Sequence, residues 1–173
     1  MKIACKNIDR LINVGFRPLG MPREDIGELY ALCATDAPVS YKCAKDILAR
    51  PGAMVGVFTG AAVMGVFPKG ESDGPLGAAA LARALLKLGY RVNLYTEIDC
   101  LAGLSDIANM IGCEAPIVVL EKKKSLDEPC AQYDEIANLL DIAVCTEKVG
   151  VNCKGIQHSV TGRNRNGMRA FVD

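Results

Sequence analysis

A chain of 173 residues that is half hydrophobic has the length for one ordinary domain with a core, or for one domain plus an appendage. Its 20 basic and 20 acidic side chains cancel, so the overall charge does not favour nucleic acid or an anionic membrane as partner. The longest apolar run, residues 53–67, is interrupted at Gly56, Thr59, Gly60 and Gly65. It falls short of the ~20 residues a bilayer span needs and reads as strand plus loop.

Residues 1–50 read as a helical segment, separate from the rest. Ile8, Leu11 and Ile12 recur at helical spacing, and Gly15 and Pro18 end that run. Pro22 opens a second helix with Glu24 and Asp25 in its first turn, where negative charge suits the dipole. Ile26, Leu29, Tyr30, Leu32 and Cys33 supply its apolar face. A third helix runs from about Ser40, a candidate N-cap, to Leu48. Pro51-Gly52 is the clearest boundary, dividing the chain into residues 1–50 and a domain over residues 51–173.

Beyond the boundary, strands and helices alternate. Residues 53–59 form an apolar run suited to a strand buried on both faces. Residues 75–88 form a helix with Pro75 in its first turn, Ser72 or Asp73 as cap and Gly89 at its end. Its expected core face is Leu81, Ala84, Leu85 and Leu88, with Arg83 and Lys87 on the wet side. Strands follow over 91–96, 116–121 and 142–146, and helices over 101–111 and 133–140, the last with Ile136, Leu139 and Leu140 on one face. Lys122-Lys123-Lys124 reads as a solvated loop. The alternation predicts an α/β fold, a Rossmann-like parallel sheet flanked by helices, preceded by the helical N-terminal segment. Ligands of such sheets bind beyond the carboxyl ends of the strands, here Thr59-Gly60, Thr96-Glu97, Glu121 and Thr146-Glu147.

The eight cysteines include no Cys-x-x-Cys pair, and His158 is the single histidine. Zinc and redox-dithiol spacings are therefore missing, and neither a metal nor a cofactor is expected. Without a secretory leader, most of the cysteines read as buried free thiols in a cytoplasmic protein. The loop after the first strand is not a Walker A, since Gly-Lys-Ser/Thr is missing. It does not have Gly-x-Gly-x-x-Gly directly after the strand, and no nucleophile elbow is present.

The segment from Val55 to Arg83 is the most informative. A buried strand ends in Thr59-Gly60, and Glu71-Ser72-Asp73-Gly74-Pro75-Leu76-Gly77-Ala78 leads into an Ala/Leu helix. This resembles the D-glutamate cyclase family, in the region named for that enzyme's carboxy-terminal domain. There the strand ends in Thr-Gly and the loop reads Glu-Thr-Asp-Gly-Pro-x-Gly-Ala. Ser72 keeps the hydroxyl of the family's Thr. A looser match follows the last strand, where Glu147-Lys148-Val149-Gly150, Gly155 and Gly162-Arg163 follow the order of the family's Glu-Arg-Pro-Gly and its later glycines. The resemblance covers residues from about 50 to 173. The family's later Gly-Asp-Gly-Gly-Asn-Glu-type segment has no match, so the chain is expected to be a truncated or shortened member. Its final residues, Gly150 to Asp173, are polar and rich in Gly and Arg.

The resemblance implies a hydro-lyase that cyclises D-glutamate to 5-oxo-D-proline with loss of water. Such a site needs a general base, an acid, donors for an oxyanion, and a cation or backbone nest for a carboxylate. The loop from Thr59 to Gly77 can offer backbone N–H groups at a helix N-terminus, although its glycines equally suit tight turns. Glu71 and Asp73 are candidates for the acid/base pair or for gripping the ammonium, and Asp73 equally suits a plain helix cap. Glu147 is a third catalytic candidate, at a strand's carboxyl end. Thr59, Gly60, Ser72, Gly74, Lys148 and Arg163 are candidates for binding the amino-dicarboxylate substrate. His158 is assigned no role. Two alternatives stand beside this reading: a non-catalytic domain binding an acidic small metabolite, and a phosphate-binding enzyme of the same fold; a homo-oligomer is compatible with each.

Overall fold

A computed structural model of the chain describes residues 1–13, 26–34, 36–63, 65–123, 125, 127–148, 150–158 and 164. Two compact units emerge, Met1–Pro51 and Gly52–Asp173.

The first unit holds three helices, α1 (Lys2–Ile12), α2 (Ile26–Cys33) and α3 (Val39–Leu48). A carboxylate links them. Asp9 is 2% exposed and accepts a 2.7 Å bond from the Tyr30 hydroxyl and a 3.4 Å bond from the Ser40 backbone N–H. Hydrogen bonding from Ser40 holds this carboxyl below its ordinary pKa; burial opposes the shift and Tyr30 adds to it. Ser40 is therefore not the N-cap of α3. Pro38 holds that position, and the Ser40 hydroxyl donates to the Cys5 carbonyl. Ile8, Leu11 and Ile12 lie on the exposed side of α1, because the helix buries Cys5 and Asp9 instead. Leu32 and Cys33 of α2 are exposed as well. The starting residues proposed for α2, Pro22 to Asp25, fall outside the described residues.

The second unit is a four-stranded, all-parallel sheet: β1 (Met54–Gly60), β2 (Arg91–Glu97), β3 (Ile117–Leu120) and β4 (Ile142–Lys148), in the order β3-β2-β1-β4. Between them run α4 (Asp73–Lys87), α5 (Leu101–Ile111) and α6 (Ala131–Leu139). This is the Rossmann-like α/β arrangement expected. The chain builds outward from β1 through β2 to β3, then returns to add β4 on β1's other side. The order thus reverses at β1, and a crevice opens there at the strands' carboxyl ends.

On one face, Tyr95 and Leu120 anchor a cluster with Phe58, Val118, Tyr133, Ile136 and Leu140. Phe58 and Tyr95 stack at 4.6 Å between ring centroids. Leu139, expected beside Ile136 and Leu140, is half exposed. On the other face α4 packs against β1, β2 and β4. Its buried stripe is Gly74, Pro75, Ala78, Ala79, Ala82 and Leu85. The leucine face read from the sequence is corrected: Ala84 and Leu88 are exposed and Leu81 is only partly covered. Alanines let the helix axis approach the sheet more closely than leucines would. Gly89 closes α4 with φ of 85°: its N–H bonds Leu86 and that of Tyr90 bonds Leu85, the Schellman pattern.

All eight cysteines are free, but only Cys5, Cys100 and Cys113 are buried, so the expectation of mostly buried thiols fails. Among the described residues no helix is long and apolar enough to cross a membrane.

The stacked rings leave no room at Gly56. A methyl there would sit 2.5 Å from Leu140 Cδ1, 2.9 Å from Phe58 Cε2 and 3.0 Å from Tyr95 Cε2. Gly56→Ala is expected to cost about 1–3 kcal/mol through overpacking. Urea denaturation measures this, and an unchanged midpoint would contradict the packing described.

Candidate functional site

Three carboxylates meet at the reversal point. Glu71 closes the loop after β1, Asp73 is the first residue of α4, and Glu147 stands near the end of β4. One carboxylate oxygen from each lies within 4.8 Å of the others, and all three side chains are exposed.

Local structure explains each position. The loop turns back through Val63 and Phe67, whose backbones pair, and Gly70 donates to the Phe67 carbonyl at 3.0 Å. Gly70 also packs on Cys100: a methyl at Gly70 would lie 2.7 Å from Cys100 Sγ. Glu71 follows directly. Asp73 occupies the first turn of α4, where the dipole favours an anion. Ser72 stands at the N-cap position, but its side chain makes no capping bond, so the cap expected from Ser72 or Asp73 does not form.

Glu147 is aimed by a β-bulge. Phe58 pairs with Cys145 and Gly60 with Lys148, so Thr59 of β1 faces two residues of β4, Thr146 and Glu147. Glu147 takes up the extra length with φ of 49°, a left-handed conformation costly for a side chain with a Cβ. Bulges of this kind re-aim side chains next to functional sites. The space Glu147 enters exists because Gly74 has no side chain. A methyl on Gly74 would lie 2.6 Å from Glu147 Cβ and 2.8 Å from Thr59 Oγ1. Thr59 is fully buried, and its hydroxyl has no hydrogen-bond partner among the described residues.

Lys148 is drawn elsewhere. Its Nζ lies 3.3 Å from Glu97 Oε1, and the two side chains are 6% and 5% exposed. The pair joins β4 to β2 across β1, a span of about 10 Å at ordinary strand spacing. Gly60 lies on the intervening strand, with φ of 124°; a methyl there would meet Thr96 Oγ1 at 3.1 Å and Glu97 Cγ at 3.5 Å. Sequence reasoning placed Glu97 at a strand end without giving it this role. The signal that could have found it is the strand order, which sets β2 and β4 on either side of a glycine. Arg163 lies outside the described residues.

Partial desolvation of this largely exposed group, then the charges of Asp73 and Glu71, push the Glu147 carboxyl above its ordinary pKa of 4.5. A groove of about 740 Å³ runs beside the site along β4 and α6, lined by Phe58, Tyr133, Ile136, Leu140 and Ala143 among others. Its lining is mainly apolar and supplies few polar groups, in contrast to the carboxylate cluster.

Fold and site together define a Rossmann-like α/β domain carrying an acidic cluster at its reversal point. A family model described as D-glutamate cyclase-like, C-terminal, matches residues 28–173, and the chain belongs to that family. No curated protein matches the chain.

Two outcomes follow from the electrostatics. The folded chain holds the Glu147 proton more tightly than the unfolded chain does. Stability therefore falls as pH rises from 4.5 through the raised folded value, and the penalty is complete above it. Glu147→Gln should stabilise the protein at pH 8 by about 0.5 kcal/mol or less, given solvent screening, and lose that gain at pH 4. Thermal melts at the two pH values measure it. The buried pair behaves oppositely. Lys148→Met strands a carboxylate and should cost about 3 kcal/mol, and adding Glu97→Gln should recover much of the loss. A urea double-mutant cycle checks this, with simple additivity as the contrary result.

Proposed function

We propose that this domain is a hydro-lyase that converts D-glutamate to 5-oxo-D-proline and water. The observation that carries the reading is the meeting of Glu71, Asp73 and Glu147 at the reversal point of a D-glutamate cyclase-like domain.

The reaction makes a bond between the α-nitrogen and the side-chain carboxyl carbon, and breaks one bond from that carbon to oxygen. An ammonium carries three protons and the lactam nitrogen keeps one. The two protons released are those the departing oxygen needs to leave as water. The step is redox-neutral and requires groups that take a proton from nitrogen and return it to oxygen. Carboxyl groups perform this when one of them is easier to protonate than usual. Glu147 fits that role because partial desolvation and its neighbours raise its pKa. Asp73 and Glu71 hold the α-ammonium before it loses its proton. Backbone N–H groups at the start of α4, with Thr59, Gly60, Ser72 and Gly74, receive a substrate carboxylate. Lys148, paired with Glu97, fixes the end of β4, and Arg163 is a further candidate for the carboxylate. We place the protein in amino-acid metabolism as a cytoplasmic enzyme.

Purified protein incubated with D-glutamate is expected to form 5-oxoproline, detected chromatographically. Asp73→Asn and Glu147→Gln should each lower kcat by about 10²- to 10⁴-fold. Calorimetric binding of D-glutamate with no product would instead assign the chain a binding role without catalysis.

A further inference from the structure

We propose that Glu97 is a positioning residue: by holding Lys148 on one face of the sheet, it fixes the bulge in β4 and directs Glu147 to the opposite face. The placement stands on geometry; its effect on turnover rests on the cyclase reading.

Side chains along a strand alternate between faces, so a slip of one residue exchanges them. On β4 the alternation breaks at one step. Thr146 packs against α4, where a methyl on Gly77 would lie 3.3 Å from its Cγ2. Regular alternation would turn Glu147 the other way. Glu147 faces α4 as well, its Cβ 2.6 Å from a methyl placed on Gly74. Lys148 then takes the opposite face. It lines the groove with Phe58, Tyr133 and Ile136, on the side of α6. Glu97 lies two residues after Tyr95, whose ring stacks on Phe58, and so shares that face. The ion pair therefore bridges β2 and β4 on the α6 side, across Gly60, which pairs with Lys148.

Without the bulge the two residues exchange places. Glu147 would stand on the α6 side with Glu97, a like charge. Lys148 would stand on the α4 side with Asp73 and Glu71, two opposite charges. Two effects favour that exchange. It releases the left-handed φ of 49° at Glu147, and it brings a cation among carboxylates that repel one another. The Glu97–Lys148 pair opposes it. The two groups are 3.3 Å apart and almost closed off from water, so breaking the pair leaves Glu97 buried beside a second carboxylate. A buried ion pair contributes little net stability compared with apolar side chains of similar volume, and its best-attested use is to select one register over another. Here the register it selects decides which of two adjacent side chains reaches the site.

The test asks whether Glu147 still senses Asp73 once the pair is gone. The charged groups facing Glu147 are Asp73 from α4 and Glu71 from the loop, and Lys148 is held on the far face. Carboxyl-carbon NMR titration of the full chain follows Glu147, its signal assigned by its loss in Glu147→Gln. In the wild type, Asp73→Asn should lower the Glu147 pKa, because the charge of Asp73 raises it. In Glu97→Gln/Lys148→Met, which removes the pair without stranding a charge, Asp73→Asn should leave the Glu147 titration where it is. Circular dichroism shows whether this double variant folds; if it does not, Glu97→Gln alone is read in the same way. The folded variant should also form 5-oxoproline with kcat lowered about 10²-fold. An Asp73 effect of wild-type size in the folded variant overturns the inference. Loss of that effect, with no 5-oxoproline from the wild type, keeps the positioning role and removes the cyclase. Product formed at the wild-type rate by the folded variant, with the Asp73 effect intact, keeps the cyclase and removes the positioning role.

Discussion

The close approach of the first turn of α4 to the ends of β1 and β4 governs this domain. At Gly74 the helix meets Thr59 and Glu147 so tightly that a single methyl would overlap both. The alanines that continue the stripe, Ala78, Ala79 and Ala82, keep the helix equally low along the sheet. The same contact sets the helix N-terminus over the crevice and brings Asp73 beside Glu147. Packing and site geometry are therefore consequences of one choice, small side chains along one face of one helix.

Against that packing, the site itself works toward instability. Three like charges converge, one of them on a residue with φ of 49°. Glutamate there occupies a backbone conformation that suits glycine, and the surrounding packing must hold the strain. The Glu97–Lys148 pair is the counterweight on the other side of β1, fastening the strand that carries Glu147. That arrangement separates the pair that holds β4 from the three-carboxylate cluster.

Much of this was legible in the sequence, where the information is local. The helix over residues 101–111 coincides with α5, because an uninterrupted apolar period has one reading. Thr59-Gly60 and Glu71-Ser72-Asp73-Gly74 were legible as a motif, since their residue types and order depend on nothing distant. Leu85 was read correctly, but Leu81 and Leu88 share its helical spacing and were misread as core, because the sheet selects the flatter alanine side. The bulge at Glu147 and the reach of Lys148 to Glu97 depend on β4 pairing with β1 rather than with β3. No local pattern states that pairing. In α1, a buried aspartate between two polar partners runs against the hydrophobic reading of Ile8, Leu11 and Ile12.

The strand order has a consequence for how the protein is born. Translation delivers β1, α4, β2, α5, β3 and α6 before β4 exists. A nascent chain can thus lay down three neighbouring strands, each beside the one just made, while Glu71 and Asp73 remain far from any third acid. The carboxylate cluster comes into being only when β4 docks at β1. The convergence of three like charges thus follows the synthesis of the three strands that β4 joins.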